Sequence, residues 1–411
     1  MSELRPRGEL RSTTPAIARH GRLKRNRAWP LVLQIIGASL AVVLLSATAV
    51  SAIVVNSITS KIQPTIDIAD PTEDPIPAIG AIEGGFNILI VGSDTRLGQN
   101  GIGGSYEDES GTLNDVNILL HVSQDQTNAV AISFPRDMVV DIPDCPYEDG
   151  SGTSGWQTRP INEALYVGGL RCVAMTVENL TGLPVQFAGI ITFTGVIQMG
   201  DAIGGVPVCV TGPIWDDNTG LTIAEPGTYE LRGLDALAFL RSRAGVGDGS
   251  DLTRISSQQV YLSSLVRKLQ SEGTLGDPKK VYDLASAALN SMQLSSSLGN
   301  LDTMVSIALA LKDIPPQNVT FIQYPGWTGG EGVYFGKVAP DTASAEELLA
   351  YVRADQPFAL ANVGDDRGST LDPNAPPPDP SAAPVDPNLP VLEGFRGQKA
   401  SDYTCSIAND Y

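Results

Sequence analysis

FNILIVGSDTR, residues 86–96, is the stretch whose reading decides the fold. A short run of branched apolar residues breaks off into Gly, Ser, Asp, Thr and Arg. Such a run fits a strand buried on both faces that ends in a polar turn. The pattern returns in VNILLHV (116–122), AVAISFP (129–135) and VQFAGIITF (185–193). Helical patterns alternate with these runs: one from Arg171 into VENLTG (177–182), then GLDALAFL (233–240) and TRISSQQVYLSSLVRKL (253–269). Strands interleaved with helices predict a layered α/β domain. Residues 273–358 continue it with two helical stretches, a strand and a last helix.

In such domains ligands collect at the carboxyl ends of strands. The first strand ends in Asp94 and Arg96, and the third in Arg136 and Asp137. Asp115 stands just before the second strand, so it joins Asp94 only if that strand runs antiparallel, and we expect that it does. Two carboxylates around a common point suit Mg²⁺. The alternative for each Asp is a turn residue or a helix cap.

LRSRAGVGDGSDLTRISSQQ (240–259) sets three arginines close together in a chain with 46 acidic and 27 basic residues. Leu234, Leu237, Ala238 and Arg241 share one helical face, so Arg241 points where apolar residues point. A guanidinium taken from water needs an anion. Arg243 follows past the helix end, and Asp251 opens the next helix as its expected N-cap. Arg254 and Gln258 share a face four residues apart. Two helix ends and one loop thus aim Arg241, Arg243 and Arg254 at one place. Arginine with magnesium suits pyrophosphate, because the guanidinium fork matches phosphate oxygens. The bland alternative is a set of surface salt bridges.

Outside this zone, Leu31–Val55 is 25 residues without a charge, flanked by Arg22, Lys24, Arg25 and Arg27. That length spans a bilayer, and the flanking charge places the N-terminus in the cytoplasm. A cleaved signal peptide is the alternative. The expected division is a basic cytoplasmic segment (1–28), a transmembrane anchor (29–55), a Pro-rich stalk (56–82), an extracellular domain (83–358) and an acidic, Pro-rich disordered tail (359–411). The net charge of −19 argues against nucleic acid as a partner. No Walker loop, G-x-G-x-x-G after a strand or G-x-S-x-G occurs. With two histidines and no C-x-x-C pair, zinc is not expected. Cys145 and Cys172 flank a Gly/Ser-rich loop that a disulfide would close, leaving Cys209 and Cys405 as the second pair. Four buried thiols are the alternative.

The chain resembles the LytR-CpsA-Psr family of bacterial cell-wall proteins. NILIVGSDTR, NDVNILLHV, ISFPRDMVVDIP, INEALYVGG, LRGLDALAFLRSR and DLTRISSQQ carry the resemblance, from about Phe86 to Leu269 and more weakly to Phe358. It implies an α-β-α sandwich with a central mixed sheet and a hydrophobic tunnel for a lipid. It also implies a membrane-anchored transferase on the outer face of the cell. Such an enzyme moves a glycopolymer from a polyprenyl-pyrophosphate carrier to a peptidoglycan sugar hydroxyl. By motif, Asp94 and Asp115 would hold Mg²⁺, and Arg136, Arg241, Arg243 and Arg254 would bind pyrophosphate with Gln258 beside them. Asp251 matches the family's acidic residue before Arg254, and Asp94 or Asp251 is the candidate proton acceptor. Arg96 and Asp137 match the same motifs. Ser257 departs from the arginine that many members carry there. A pyrophosphatase using water, and a non-catalytic wall-binding or regulatory protein, are the rival readings.

Overall fold

The computed structural model describes residues 65–68, 84–95, 112–147, 149–271, 277–299, 301–377 and 387–409. The expected cytoplasmic segment, the anchor at 29–55, Arg96 and the glycine-rich stretch at 98–111 lie outside the described residues. No helix among the described residues is long and apolar enough to cross a membrane.

The apolar runs are strands. β1 (Phe86–Ser93), β2 (Asn114–Val122) and β3 (Ala129–Phe134) are followed by helix α1 (Ala164–Thr181), strand β4 (Phe187–Ile191) and helix α2 (Phe193–Ile203). Next come β5 (Val206–Val210), β6 (Gly227–Leu231), α3 (Gly233–Arg241), α4 (Asp251–Ser271), α5 (Pro278–Ser291) and β7 (Met292–Leu294). The described elements end with α6 (Leu301–Lys312), β8 (Val319–Gln323), α7 (Thr342–Arg353), β9 (Ser369–Leu371), β10 (Gly397–Lys399) and β11 (Thr404–Ser406). Several shorter two-stranded ribbons fill the connections.

The central sheet has the order β7-β4-β1-β2-β3-β8-β10. It is mixed: β2 runs antiparallel to both β1 and β3, whereas β4 is parallel to β1 and β8 to β3. Successive residues point to opposite faces, and both faces are covered. Leu89, Val91, Leu119 and Ile132 join one core with Leu170 and Val173 of α1 and Leu348 and Val352 of α7. Phe86, Ile88, Ala131 and Phe321 join another with Leu289 of α5 and Ile307 of α6. Each such side chain contributes about 1.5–3 kcal/mol by leaving water. The expected layers of helix, mixed sheet and helix are therefore present.

A second sheet, of order β6-β5-β11-β9, was not anticipated. It packs on α3 and α4 through Val206, Val208, Phe239 and Tyr261. Its strands β9 and β11 come from the stretch expected to be a disordered tail, and so does β10, the edge of the central sheet. The expectation for 359–411 is thus corrected. The segment folds because polar groups pair, which an apolar pattern does not reveal. Gln398 is fully buried, with its amide donating to Gln259 O and Ser263 Oγ (3.2 and 2.7 Å) and accepting from Thr404. Part of the expected stalk is also docked: Ile66 N donates to Leu294 O at 3.0 Å, and Ile68 is buried in the core.

Both expected disulfides are formed, Cys145–Cys172 and Cys209–Cys405. The first is packed on Gly168, where a Cβ would lie 3.0 Å from both cysteine Cβ atoms, so a larger residue would have to push the bridge aside by a few tenths of an ångström. The second joins adjacent parallel strands β5 and β11.

Candidate active site

β1 and β2 stay in register from Phe86↔Val122 to Gly92↔Val116, and then Ser93 pairs with Asn114. Asp115 is the extra residue of a bulge. A bulge re-aims its side chain and frees its backbone from the ladder. Gly92 permits the close approach, since a Cβ there would sit 2.8 Å from Val116 Cβ. Leu113 N donates to Asp94 Oδ1 at 2.8 Å. The antiparallel turn therefore brings Asp94 and Asp115 together, as expected.

Both groups of Asp115 that the bulge frees are used. Arg136 Nη1 donates to its Oδ1 at 2.7 Å, and Arg254 Nη2 donates to its backbone O at 2.8 Å. Asp251 completes the cluster. Its Oδ1 lies 2.7 Å from Arg254 Nη2, and its Oδ2 accepts from Arg136 N at 3.3 Å. The N-cap expectation for Asp251 is corrected: Asp251 is the first residue of α4, and Ser250 caps it, its Oγ accepting from Thr253 N at 3.4 Å. The Asp251 carboxylate instead pins the turn after β3 to the start of α4. Asp137 is close by, 3.7 Å from Arg136 Nε, and is held by Lys337 Nζ at 2.9 Å. Burial alone would lower the Arg136 pKa, but Asp115, Asp251 and Asp137 outweigh it and raise it. Arg254 is 4% exposed, and burial draws its pKa down against the pull of Asp251 and Asp115. The Nε atoms of Arg136 and Arg254 are buried without a hydrogen-bond acceptor. Buried donors in native folds are rarely left so.

Arg241 ends α3, with its guanidinium carbon 4.1 Å from the centroid of the Phe193 ring. The face expected for this helix needs one correction. Leu234 is 64% exposed, because the first turn of α3 projects beyond the core. Ala236, Leu237, Ala238 and Phe239 are its buried residues, and Leu237, Leu240 and Arg241 line the cavity. Gln258 Nε2 donates to Leu240 O at 2.8 Å, tying α4 to the end of α3. Arg243 is set by a residue the sequence did not single out. Asp216 accepts from Arg243 N (3.0 Å), Ser242 Oγ (2.7 Å) and Asn218 N (3.0 Å). Burial raises the Asp216 pKa, but these hydrogen bonds prevail and lower it. The Asp/Asn/Gly cluster at 216–220 was legible as a turn. Its docking against Arg243 is tertiary and was not.

These elements enclose one cavity of about 540 Å³, within the range of small-molecule sites. Ile90, Val116, Ile118, Ile191, Val196 and Leu262 give it an apolar part. Arg136, Arg241, Arg243, Arg254, Asp115 and Gln258 also line it. Phe193, Asp216, Asn218 and Thr219 are lining residues that the sequence did not reveal. Asp94, Asp137 and Asp251 do not line the cavity and reach it through their neighbours.

The LytR_cpsA_psr family model matches residues 50–351. The chain belongs to the LytR-CpsA-Psr family. Among curated LytR-CpsA-Psr relatives, it is 30% identical to the cell wall biosynthesis protein LcpA of Corynebacterium glutamicum over 60% of this chain and 51% of LcpA. The chain thus spans about half the length of that relative. It is 26% identical to the Bacillus subtilis polyisoprenyl-teichoic acid–peptidoglycan teichoic acid transferase TagT, over 58% of this chain and 71% of TagT. A solved protein, gbs0355 from Streptococcus agalactiae, shares the fold with a TM-score of 0.51 at 21% identity, over 66% of this chain and 89% of that one.

Asp94 permits a separation of fold from function. Burial raises its pKa, and the Asp115 charge adds to the rise against the Leu113 hydrogen bond. The folded chain therefore binds this proton more tightly than the unfolded chain. The stability so gained is complete below the unfolded value and is lost as pH rises through the folded one. At neutral pH the ionised carboxylate is a cost. Asp94→Asn keeps the acceptor for Leu113 N and should leave the Tm unchanged or raise it by up to about 2 °C, while turnover falls. Thermal unfolding at pH 7 beside an activity assay checks this.

Proposed function

We propose that the chain is a membrane-anchored transferase acting outside the cell. It moves a glycopolymer from a polyprenyl-pyrophosphate carrier to a sugar hydroxyl of peptidoglycan. The observation that carries this is a cavity in which an apolar wall adjoins Arg136, Arg241, Arg243 and Arg254. A lipid bearing a doubly phosphorylated head has that division of chemistry. The arginine N–H donors match phosphate oxygens, and charged hydrogen bonds of this kind contribute about 1.5–3 kcal/mol each. TagT, a polyisoprenyl-teichoic acid–peptidoglycan teichoic acid transferase, is a relative with which this reading agrees. The apolar run at 31–55 and the two disulfides support an anchored chain whose domain lies in an oxidising compartment.

The guanidiniums hold the pyrophosphate and stabilise charge as the phosphoanhydride bond breaks. The acceptor oxygen bonds to the sugar-side phosphorus, and lipid monophosphate leaves with the hydroxyl proton. Asp251, fixed between Arg136 and Arg254, positions both. Asp94 and Asp115 fit a divalent cation such as Mg²⁺. They are adjacent oxygen donors, and the charge of one raises the pKa of the other. When bound, the cation neutralises pyrophosphate oxygens.

The test uses the full chain in detergent, a polyprenyl-pyrophosphate-linked saccharide and isolated peptidoglycan. Sugar should become covalently attached to the wall fraction, and a chelator should suppress turnover. Release of phosphosaccharide without attachment identifies a pyrophosphatase. No lipid turnover under any condition sinks both enzymatic readings.

A further inference from the structure

A second cleft, of about 360 Å³, stands apart from the lipid cavity and shares none of its lining residues. It begins at Val139, directly after the turn at Arg136 and Asp137 that Met138 N closes by donating to Pro135 O at 3.0 Å. Tyr334 supplies a half-buried ring, while Tyr324, only 2% exposed, belongs to the buried wall; Asp141 and Glu346 supply carboxylates, and Thr158 and Asn179 a hydroxyl and a carboxamide. Three elements bring these together. The ribbon of 139–142 with 157–160 carries Asp141 and Thr158, joined by a 2.7 Å hydrogen bond. Tyr324 follows β8, with its ring centroid 5.2 Å from that of Phe134 at the end of β3. Tyr334 belongs to the excursion 326–340, which is anchored at the phosphate site itself. Val338 N donates to Asp137 O at 3.0 Å, and Lys337 grips the Asp137 carboxylate.

The lining identifies the ligand class. No Lys, Arg or His lines the cleft among the described residues. A phosphate-rich polymer would meet the Asp141 and Glu346 carboxylates there, and the neighbouring Arg353 is already paired with Glu346. Aromatic rings beside carboxylates, a hydroxyl and an amide suit a neutral, hydroxyl-rich molecule, which offers C–H faces to rings and O–H donors to carboxylates. The same excursion exposes Trp327 (54%) and Phe335 (83%), which extends the aromatic surface outward. On the proposed function, the donor already has two handles, its lipid and its pyrophosphate. The acceptor has only its sugars.

We propose that this cleft is the acceptor site. It binds the glycan strand of peptidoglycan and presents its hydroxyl to the phosphate held at Arg136. The proposal rests on the transferase reading, so its test separates binding from transfer.

Binding of chitotetraose and of lysozyme-cleaved peptidoglycan fragments to the full chain in detergent is measured by calorimetry, without donor. Wild-type protein should bind at least one of them. Tyr334→Ala and Glu346→Gln should weaken that binding about tenfold or more, and Arg241→Ala should leave it unchanged. In the complete assay, Tyr334→Ala should raise the KM for acceptor and leave the affinity for donor lipid intact. Tyr334 lies on a surface excursion, and an unchanged Tm in both variants establishes that the fold survives. No saccharide binding by wild type, or equal binding by wild type and both variants, overturns the acceptor site even where transfer proceeds. A loss of donor affinity in Tyr334→Ala overturns it too, by assigning the cleft to the donor polymer. Saccharide binding at the cleft with no transfer by wild type sinks the transferase reading instead and leaves the saccharide site standing.

Discussion

Arg254→Ala should lose transfer and fold stability together, whereas Arg241→Ala should lose transfer alone. Arg254 is buried, and its Nη2 serves both Asp251 Oδ1 and the carbonyl of Asp115. Alanine there leaves a buried carboxylate with only the Arg136 contacts, and the bulge carbonyl without its donor. Breaking a buried pair by removing one member typically costs about 3–5 kcal/mol. Arg241 sits at a helix end on the cavity wall, and its ring contact with Phe193 is worth only about 0.5–2 kcal/mol. Its removal should lower kcat by about 10²–10³-fold, the usual effect of deleting one donor to a developing charge. Denaturant unfolding and single-turnover transfer, run on both variants, distinguish the two. Equal stability in the two variants would refute the structural role given to Arg254.

The second large effect belongs to Cys209–Cys405. Replacing both with serine opens a link across a sequence separation of 196, worth about 5 kcal/mol in the chain-entropy model. The consequence should reach the cavity. The segment after Cys405 clasps the arginine-bearing loop: Gly247 N donates to Ile407 O (2.9 Å), Asn409 N to Gly245 O (3.1 Å) and Asn409 Nδ2 to Ala244 O (2.8 Å). The double variant should therefore lose kcat as well as stability. An Asn409→Ala variant, which keeps the disulfide, should lose kcat with little change in unfolding. Full activity in both variants would show that the loop keeps its shape unaided.

The central layers were legible because their chemistry is periodic and local. Runs such as VNILLHV leave little choice but a strand covered on both sides, and reversing β2 was the one arrangement that united Asp94 with Asp115. Arg241, Arg243 and Arg254 were legible as a group because two helix ends and a glycine-rich loop converge. What escaped has no local signal. Asp216 reads as an ordinary turn residue until its contact with Arg243 is seen. β10 and β11 contain Gly, Gln, Lys, Thr, Cys and Ser, and they are strands through pairing with β8, β5 and β9, all remote in sequence. The described residues beside the prolines, 372–377 and 387–390, are irregular, but the inference was extended too far on both sides of them.

β10 and β11 also dictate the order in which the molecule is completed. β8 gains its outer partner and β5 its middle-sheet neighbour only from residues 397–406. On the proposed placement outside the cell, Cys209 would wait as a thiol, with the edges of β5 and β8 open, until residues 397–406 have emerged. Pairings this remote form slowly, and unpaired edges recruit other chains. A stop codon before residue 397 should therefore yield an aggregating, thiol-reactive product rather than a shortened enzyme.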